Sequence, residues 1–465
     1  MKRLPLLLKG GVLLLLALLL LIPLSMVDNL VNERMARQHQ VEAEIANSTA
    51  SQQWLAGPLL TIRYTERWTE QKERQKSDGD KLWSESYNVK RVAKRVLRVY
   101  PQQLQLVGQM AVEPRYRGIF AAQVYHLNSA LNGHWELPAV DTLATRDGSK
   151  VSVDRVQMSV LVSDRKGFLN QPQLALSTVG AKPQQHTVLL KPGSGLDAWS
   201  AGVHADLPVN VLSETSTWQF DIKLLLQGTS RFALVPLAHN NQLSLAGDWP
   251  HPSFDGHFLP LDRAVEEARF NAEWQVTAMA SSAQSELKRG LAENNFYLGN
   301  LQNMGVSLID PVSVYSNTDR ALKYGFLFVG LTFASFFLYE LLMRLRIHPI
   351  QYGLVGLAQA LFFLLLLSLS EHMGFGVAYL LAMLCCVGLV GYYLASVLGS
   401  LNRGVIFAVA LAGVYGMLYM LLQSEDYALL GGSLALFGLL VGAMALTRKL
   451  DWYRLESQLG KPSVD

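Results

Sequence analysis

Cysteine is almost absent from this chain of 465 residues. The two cysteines, Cys385 and Cys386, are neighbours, so they cannot form a C-x-x-C redox motif. Both lie in a long apolar stretch, where we expect inert thiols. No cysteine is left for a disulfide elsewhere, so any large domain outside that stretch must be stable through hydrophobic burial alone.

Familiar catalytic signatures are also absent. The sequence contains no H-E-x-x-H motif, no glycine-rich phosphate loop and no G-x-S-x-G nucleophile elbow. His251 and His257 share a proline-rich segment, but a metal site there would need further Cys, His or carboxylate ligands at recognisable spacing. We therefore interpret this segment as a structural turn rather than a metal site, and we predict no enzymatic activity, no metal and no cofactor.

A large excess of charge is missing as well. The formal net charge is +3, and residues 28–322 carry 29 Lys and Arg against 30 Asp and Glu. A surface that binds nucleic acid needs a concentrated basic face. We therefore predict no nucleic-acid partner, and we place the positive excess at the chain ends and in short loops.

Long apolar runs, by contrast, fill the C-terminal part of the chain. A membrane helix needs roughly 20 apolar residues, and five stretches have about that length. They lie at about Tyr324–Met343, Tyr352–Leu369, Phe375–Leu398, Val405–Leu422 and Ala428–Leu446. The helices of a soluble core would each carry a polar face, which these stretches lack almost entirely. We therefore predict a five-helix transmembrane bundle over residues 323–447 and a tail over residues 448–465.

The N-terminus adds a sixth predicted membrane helix. A basic head, residues 1–9, precedes an apolar run over residues 10–27. A cleaved signal peptide is the alternative, but its apolar region has about 7–15 residues and ends in a small-x-small cleavage site. This run is longer and lacks that pattern, which favours an uncleaved membrane anchor.

The basic residues predict the orientation of the chain. Short segments rich in Lys and Arg stay on the cytoplasmic side of a membrane. The head carries Lys2, Arg3 and Lys9, and the tail carries Arg448 and Lys449. We therefore predict a multi-pass protein with both termini in the cytoplasm and residues 28–322 on the external side.

The external segment has mainly the periodicity of β-strands. Apolar and polar residues alternate in Trp218–Leu224 and in Phe270–Val276, and many turn signals separate such runs. We predict an antiparallel β-sandwich, with a short helix near Ala283–Glu293 and a solvated loop over residues 66–86.

Eight of the nine tryptophans lie in this external segment. Exposed tryptophans could form a platform for a ligand, whereas buried ones would fill the core of the sandwich. Trp218 and Trp274 alternate with other apolar residues, so we predict that they belong to the core.

Several motifs along the chain are similar to those of a known family. They are Glu113-Pro-Arg-Tyr-Arg-Gly-Ile-Phe120, Trp249-Pro-His-Pro-Ser-Phe254, Thr318-Asp-Arg-Ala-x-Lys-Tyr324, His348-Pro-x-Gln-Tyr352 and Asp451-Trp-Tyr453. Through these motifs the chain resembles the CreD family of bacterial inner-membrane proteins over nearly its whole length. The resemblance implies a periplasmic domain and a protein of the regulon that the Cre two-component system controls. Such proteins are associated with cell envelope integrity, the β-lactam response and colicin tolerance, and they have no established enzymatic activity.

Four residues are candidates for a functional role. Glu340 is an ionisable group inside a predicted span, where charge is costly, and it precedes Arg344 by one helical turn. An interfacial ion pair and a proton or substrate site are both open for it. Glu371 and His372 lie at the predicted external mouth of the bundle, where His372 could titrate between pH 5 and 8. His251 lies in the proline-rich segment that carries part of the resemblance.

Two kinds of function remain open. The first is a non-enzymatic envelope-stress protein of the membrane, whose external domain binds or senses an envelope component such as a lipid or glycan. The second is a transporter or lipid-handling protein that uses the five-helix bundle. The scarcity of charge within the predicted spans favours the first. The expected partners are the phospholipid membrane and, beyond it, envelope components or other membrane proteins.

Overall fold

The computed structural model describes residues 4–78, 81–178, 185–212, 216–309, 314–342 and 347–423, together with residues 433, 437, 441 and 444. The chain divides into two compact units. Unit 1 comprises Met1–His39 and Pro311–Asp465, and unit 2 comprises Gln40–Asp310.

Within the described residues, the apolar runs of unit 1 form helices. In apolar surroundings the backbone must satisfy its own N–H and C=O groups, and a helix does so within one segment. The α-helices of the described residues are α1 (Leu4–Leu19), α2 (Leu21–Ser48), α3 (Ala283–Glu293), α4 (Val314–Leu342), α5 (Pro349–Ser370), α6 (Phe375–Val397) and α7 (Leu401–Gln423). The short helix α3 belongs to unit 2 and has the bounds that its sequence predicted.

The prediction of six membrane helices, five of them C-terminal, is wrong. Among the described residues, four helices are long and apolar enough to cross a membrane: Gly10–Ser48, Pro349–Ser370, Phe375–Val397 and Leu401–Gln423. The predicted span Tyr324–Met343 falls largely in α4, which is not one of them. This helix begins at Val314, well before the apolar run, and carries charged residues in its first turns. The predicted span Ala428–Leu446 lies almost entirely outside the described residues.

Within the described part of unit 2, the strands belong to two sheets of eight strands each. The strands are β1 (Gln53–Asp78), β2 (Lys81–Val99), β3 (Gln103–Arg117), β4 (Phe120–Leu137), β5 (Lys150–Val162), β6 (Gln173–Thr178), β7 (Gln185–Leu189), β8 (Lys191–Pro192), β9 (Gly202–Leu207), β10 (Ser216–Thr229), β11 (Arg231–Val235), β12 (Asn240–Gly247), β13 (Pro252–Gly256), β14 (Asp262–Val265), β15 (Phe270–Thr277) and β16 (Met304–Leu308). The first sheet has the order β13-β16-β11-β1-β5-β9-β8, with β2 paired to β1. The second has the order β14-β15-β12-β3-β4-β10-β6-β7.

Both sheets contribute to one hydrophobic core. Ile62 of β1 and Met158 of β5 belong to the same buried cluster as Leu104 of β3 and Ile222 of β10. Along β15, buried and exposed side chains alternate strictly, as expected for a strand with one face on the core. Trp218 and Trp274 are buried in this cluster, which confirms their prediction as core residues.

The prediction of a purely antiparallel sandwich is wrong, because both sheets are mixed. Gln53–Ala56 of β1 pairs in parallel with β11, and β3 pairs in parallel with β12. Alternating polarity identifies a strand with one buried face but not the direction of the neighbour to which it pairs. A parallel partner is distant in sequence, so no hairpin signal announces it.

The prediction of a solvated loop over residues 66–86 is wrong as well. In the structure β1 and β2 form a long antiparallel ribbon whose pairing runs from Leu60 opposite Val99 to Asp78 opposite Lys81. In the distal part of the ribbon, the described residues are mostly exposed on both faces. Both faces therefore contact water, and charged side chains cover them. Such a ribbon has no apolar stripe, which is why its sequence resembles that of a loop.

Candidate functional site

Glu371 ends α5 and lies among three helices of unit 1. Its Oε1 atom is 3.4 Å from Nε of Arg34 on α2, and it accepts a hydrogen bond of 3.2 Å from the hydroxyl of Tyr315 on α4. The Glu371 side chain is 11% exposed and that of Arg34 is 42% exposed. Glu371 is therefore a largely enclosed carboxylate with a cationic partner. Arg34 and Tyr315 could not be predicted as its partners from the sequence, because only tertiary packing brings them to Glu371.

His372 follows in the turn after α5. Its backbone N–H donates to the carbonyl of Leu369 at 3.0 Å, while its side chain is exposed. The two candidates are thus neighbours in sequence but differ in environment. Glu371 is held by packing, and His372 faces outward.

Glu340 is buried in α4, with 6% of its surface exposed. Oε2 accepts a hydrogen bond of 2.7 Å from the hydroxyl of Tyr352, and Oε1 accepts one of 3.1 Å from the backbone N–H of Ile347. The partner that the sequence suggested, Arg344, lies outside the described residues, so the ion pair stays a prediction. The carboxylate joins α4 to the beginning of α5.

The motif His348-Pro-x-Gln-Tyr352 has a local structural explanation. His348 caps α5: its Nδ1 atom accepts from the N–H of Ile350 at 3.3 Å, and Oε1 of Gln351 accepts from the N–H of His348 at 3.2 Å. This reciprocal arrangement is a capping box, and proline suits the first helical position. The motif therefore begins a helix and presents Tyr352 to Glu340.

Other polar groups of unit 1 are buried between its helices. Nε2 of Gln359 donates to the Thr332 hydroxyl at 2.5 Å. The hydroxyl of Tyr379 donates to the carbonyl of Tyr415 at 2.7 Å, and Sγ of Cys386 lies 3.3 Å from the Tyr415 hydroxyl. Contacts of this kind satisfy polar groups where water is scarce.

His251 is exposed at the beginning of β13. Its carbonyl accepts a hydrogen bond of 3.1 Å from the indole N–H of Trp249, which also donates to the carbonyl of Ile309 at 3.0 Å. The following residues, Pro252–Gly256, pair with β16 as the outermost strand of the first sheet. Prolines are tolerated in such edge strands, so the proline-rich segment is partly a strand rather than only a turn.

A polar cleft of about 500 Å³ lies on the outer face of the second sheet. Strand register arranges its side chains in two cross-strand rows. One row is Gln103, His134, Gln219, Ser177 and Gln185, and the next is Gln105, Asn132, Asp221, Ala175 and Thr187. We call these residues the polar cleft. The cleft could not be predicted from the sequence, because alternation marks these residues only as solvent-facing and not as neighbours across five strands.

One polar atom at the polar cleft, Oδ1 of Asn132, is buried and lacks a hydrogen-bond partner among the described residues. His186 belongs to the edge strand β7, but it is opposite the core residue Leu176 and stacks on Trp218, with ring centroids 5.8 Å apart, so its ring faces the core. A buried polar atom without a partner costs free energy, so a ligand that supplies hydrogen bonds here would be favoured.

Comparison with known proteins gives two consistent matches. A family model described as inner membrane protein CreD matches residues 5–453. The chain is also 35% identical over 437 residues to the inner membrane protein CreD of Escherichia coli (strain K12), which covers 94% of this chain and 91% of that protein.

Proposed function

Because the chain belongs to the CreD family of inner-membrane proteins, we propose that it supports the integrity of the cell envelope by binding an envelope component rather than by catalysis. It is a multi-pass protein of the inner membrane, with several helices apolar enough to cross it. In this proposal the membrane helices anchor the chain and unit 2 makes the contact with the envelope.

Unit 2 must then face the periplasm. The basic head with Lys2, Arg3 and Lys9 supports a cytoplasmic N-terminus, and the basic tail with Arg448 and Lys449 supports a cytoplasmic C-terminus. A reporter inserted at Gly118, in the turn between β3 and β4, should be active only in the periplasm. A reporter fused to Asp465 should be active only in the cytoplasm. A cytoplasmic signal from Gly118 would overturn this orientation.

The polar cleft is the observation that carries the proposal. Its rows combine amides and hydroxyls, which both donate and accept hydrogen bonds, with Asp221 as the carboxylate among its lining residues. Such a surface suits an uncharged ligand rich in hydroxyl and amide groups, and its volume is in the range of small-molecule sites. We propose a glycan of N-acetylated amino sugars as the ligand class.

The chemistry of the cleft favours binding over hydrolysis. Glycosidases generally use a pair of carboxyl groups, one as acid and the other as base or nucleophile. Asp221 has no second carboxylate among the residues that line the cleft. This supports a receptor-like role for the cleft and is consistent with a chain without familiar catalytic motifs.

The test is glycan binding to the purified full-length protein in detergent, measured by calorimetry with a soluble N-acetylglucosamine oligomer. We expect Gln105→Ala to weaken binding at least tenfold, because Gln105 lines the cleft at the β3 end of the second row, next to Asn132. Gln109→Ala is the matched control, since Gln109 is on the same strand and face but outside the cleft. Equal effects of both variants, or no binding by the unaltered protein, would refute the proposal.

One observation favours transport or lipid handling as a second candidate. Gln359 is a buried polar residue of α5, one of the helices apolar enough to cross a membrane, and its Oε1 atom has no hydrogen-bond partner among the described residues. Buried polar groups in membrane helices often mark a pathway. Movement of a labelled lipid in reconstituted vesicles that Gln359→Leu abolishes would support this function instead.

A further inference from the structure

A second cavity of unit 2, of about 590 Å³, lies on the outer face of the first sheet. Residues Ile62 and Tyr64 of β1 point into the core, so the alternate residues Thr61 and Arg63 point to the opposite face. The strand register places Arg98 opposite Thr61, Val96 opposite Arg63 and Lys94 opposite Thr65. We call this cavity the basic pocket, and its defining residues are Thr61, Arg63, Lys94, Arg98 and Arg155.

Two cations at the basic pocket already have carboxylate partners. Nε of Arg95 lies 2.6 Å from Oε2 of Glu66, and a guanidinium nitrogen of Arg155 lies 2.6 Å from Oδ1 of Asp206. The hydrogen bond that Arg155 donates to Asp206 raises the pKa of Arg155, so the guanidinium stays charged. Arg95 and Arg155 contribute to the positive electrostatic potential of the pocket, but they already donate hydrogen bonds to Glu66 and Asp206.

The other cations are much less engaged. Arg63 contacts Asp197 at a long 3.9 Å, and the Asp197 side chain is 98% exposed. Lys94 and Arg98 form no ion pair among the residues that the structure describes. Asp154 also lines the pocket, but its Oδ2 atom accepts a hydrogen bond of 2.7 Å from Thr65. Lys94, Arg98 and Arg63 thus offer positive charge on one wall.

Unsatisfied polar atoms lie in the same cross-strand row. The Thr61 hydroxyl is buried, with 2% of the residue exposed, and neither it nor Nε of Arg98 has a hydrogen-bond partner in the described part of the chain. Gln157, opposite Thr61 on the other side, has both amide atoms unpartnered as well. Three adjacent residues with unmet hydrogen bonds are unusual in a folded domain, where buried polar atoms are normally paired.

We propose that the basic pocket binds a phosphate group, with Arg98 and Lys94 donating charged hydrogen bonds and Thr61 donating from its hydroxyl. A phosphate presents several acceptor oxygens in different directions, which matches donors that converge from two strands. A guanidinium and an ammonium together are typical of phosphate recognition. This site lies on the sheet opposite to the polar cleft and does not depend on the proposed glycan binding.

The phosphate can come from free inorganic phosphate or from a phospholipid headgroup, and two probes separate these sources. The full-length protein in neutral detergent is titrated with inorganic phosphate and, in a second arm, with dihexanoyl phosphatidylglycerol. We expect at least one probe to bind and Lys94→Gln to weaken its binding at least tenfold. Binding of the lipid alone would identify a headgroup site, and binding of inorganic phosphate would identify a site for the free anion.

Lys90→Gln is the matched control, because Lys90 lies on the same strand and face as Lys94 but outside the pocket. Thr61→Val provides a second test that does not depend on charge: it should weaken binding while leaving the melting temperature equal or higher, since it removes a buried hydroxyl without a partner. The proposal is overturned if neither probe binds, or if Lys90→Gln weakens binding as much as Lys94→Gln.

Discussion

The substitution Glu371→Gln tests whether the enclosed carboxylate of unit 1 serves stability, function or both. Glutamine keeps an acceptor for the Tyr315 hydroxyl but loses the charge that faces Arg34 at 3.4 Å. An exposed ion pair contributes about 0.2–1 kcal/mol, and breaking a fully buried one costs about 3–5 kcal/mol. Since Arg34 is partly exposed and Glu371 largely enclosed, we expect a loss of about 1–2 kcal/mol.

The assay is a double-mutant cycle, measured by chemical unfolding of the purified protein in mixed micelles. Glu371→Gln, Arg34→Gln and the double variant should give a coupling energy of about 1 kcal/mol between the two side chains. His372→Gln is the control, because this neighbour is exposed and should change the free energy of unfolding by less than about 0.5 kcal/mol. A coupling energy of zero would refute the assignment of a stabilising ion pair.

The same variants separate stability from function in cells. Protein abundance and survival under a β-lactam are measured together for Glu371→Gln and His372→Gln. Normal abundance with lost protection would make this turn a functional site. If protection persists in both variants, the turn is structural and the function lies elsewhere, in keeping with the proposal for unit 2.

Three further predictions concern unit 2. Burial alone would raise the pKa of Glu66, but hydrogen bonds from Ser149, Thr145 and Arg95 outweigh it and lower the pKa from 4.5 to about 2. The stability that the Glu66 carboxylate contributes is therefore complete above about pH 4.5 and is lost as the pH falls towards 2. In the Glu66→Gln variant, the melting temperature should depend less on pH within that window. Trp249→Ala should lower the free energy of unfolding by about 2–3 kcal/mol, which is less than for a fully buried tryptophan because Trp249 is half-buried. His251→Ala should change the free energy of unfolding by less than about 0.5 kcal/mol, because His251 is exposed. Equal effects of the two variants would contradict the packing role of the indole. A fragment comprising residues 40–310 should give the far-UV spectrum of a β-protein and melt at the same temperature with and without reducing agent, and a helical spectrum or a sensitivity to reductant would refute this.

The sequence was informative where structure depends on local pattern. The alternation in Phe270–Thr277 and the apolar face of Ala283–Glu293 are local patterns, and the structure has a strand and a helix there. The motif around His348 is local as well, since its capping box spans four residues. In each case the residues that determine the conformation lie close together in the sequence.

The sequence was uninformative where structure depends on distant partners. Glu66 looked like part of a charged loop, yet in the structure its side chain is fully enclosed by Arg95, Thr145 and Ser149. Arg34 could not be predicted as the partner of Glu371, because the sequence around either residue does not specify the contact. The polar cleft depends on the register of five strands, and no local pattern encodes that register.

The positions of the polar cleft and the basic pocket constrain how unit 2 can act. The cleft lies on the outer face of the second sheet and the pocket on that of the first, with the hydrophobic core between them. None of the described residues lines both, so the proposed glycan and the proposed phosphate group would not compete for a side chain. Because the core between the two sheets is closely packed, occupancy of one site can alter the other only by shifting strands that many contacts hold in place. We therefore expect additive effects of Gln105→Ala and Lys94→Gln when both are present, and a departure from additivity would mean that the two sheets move together.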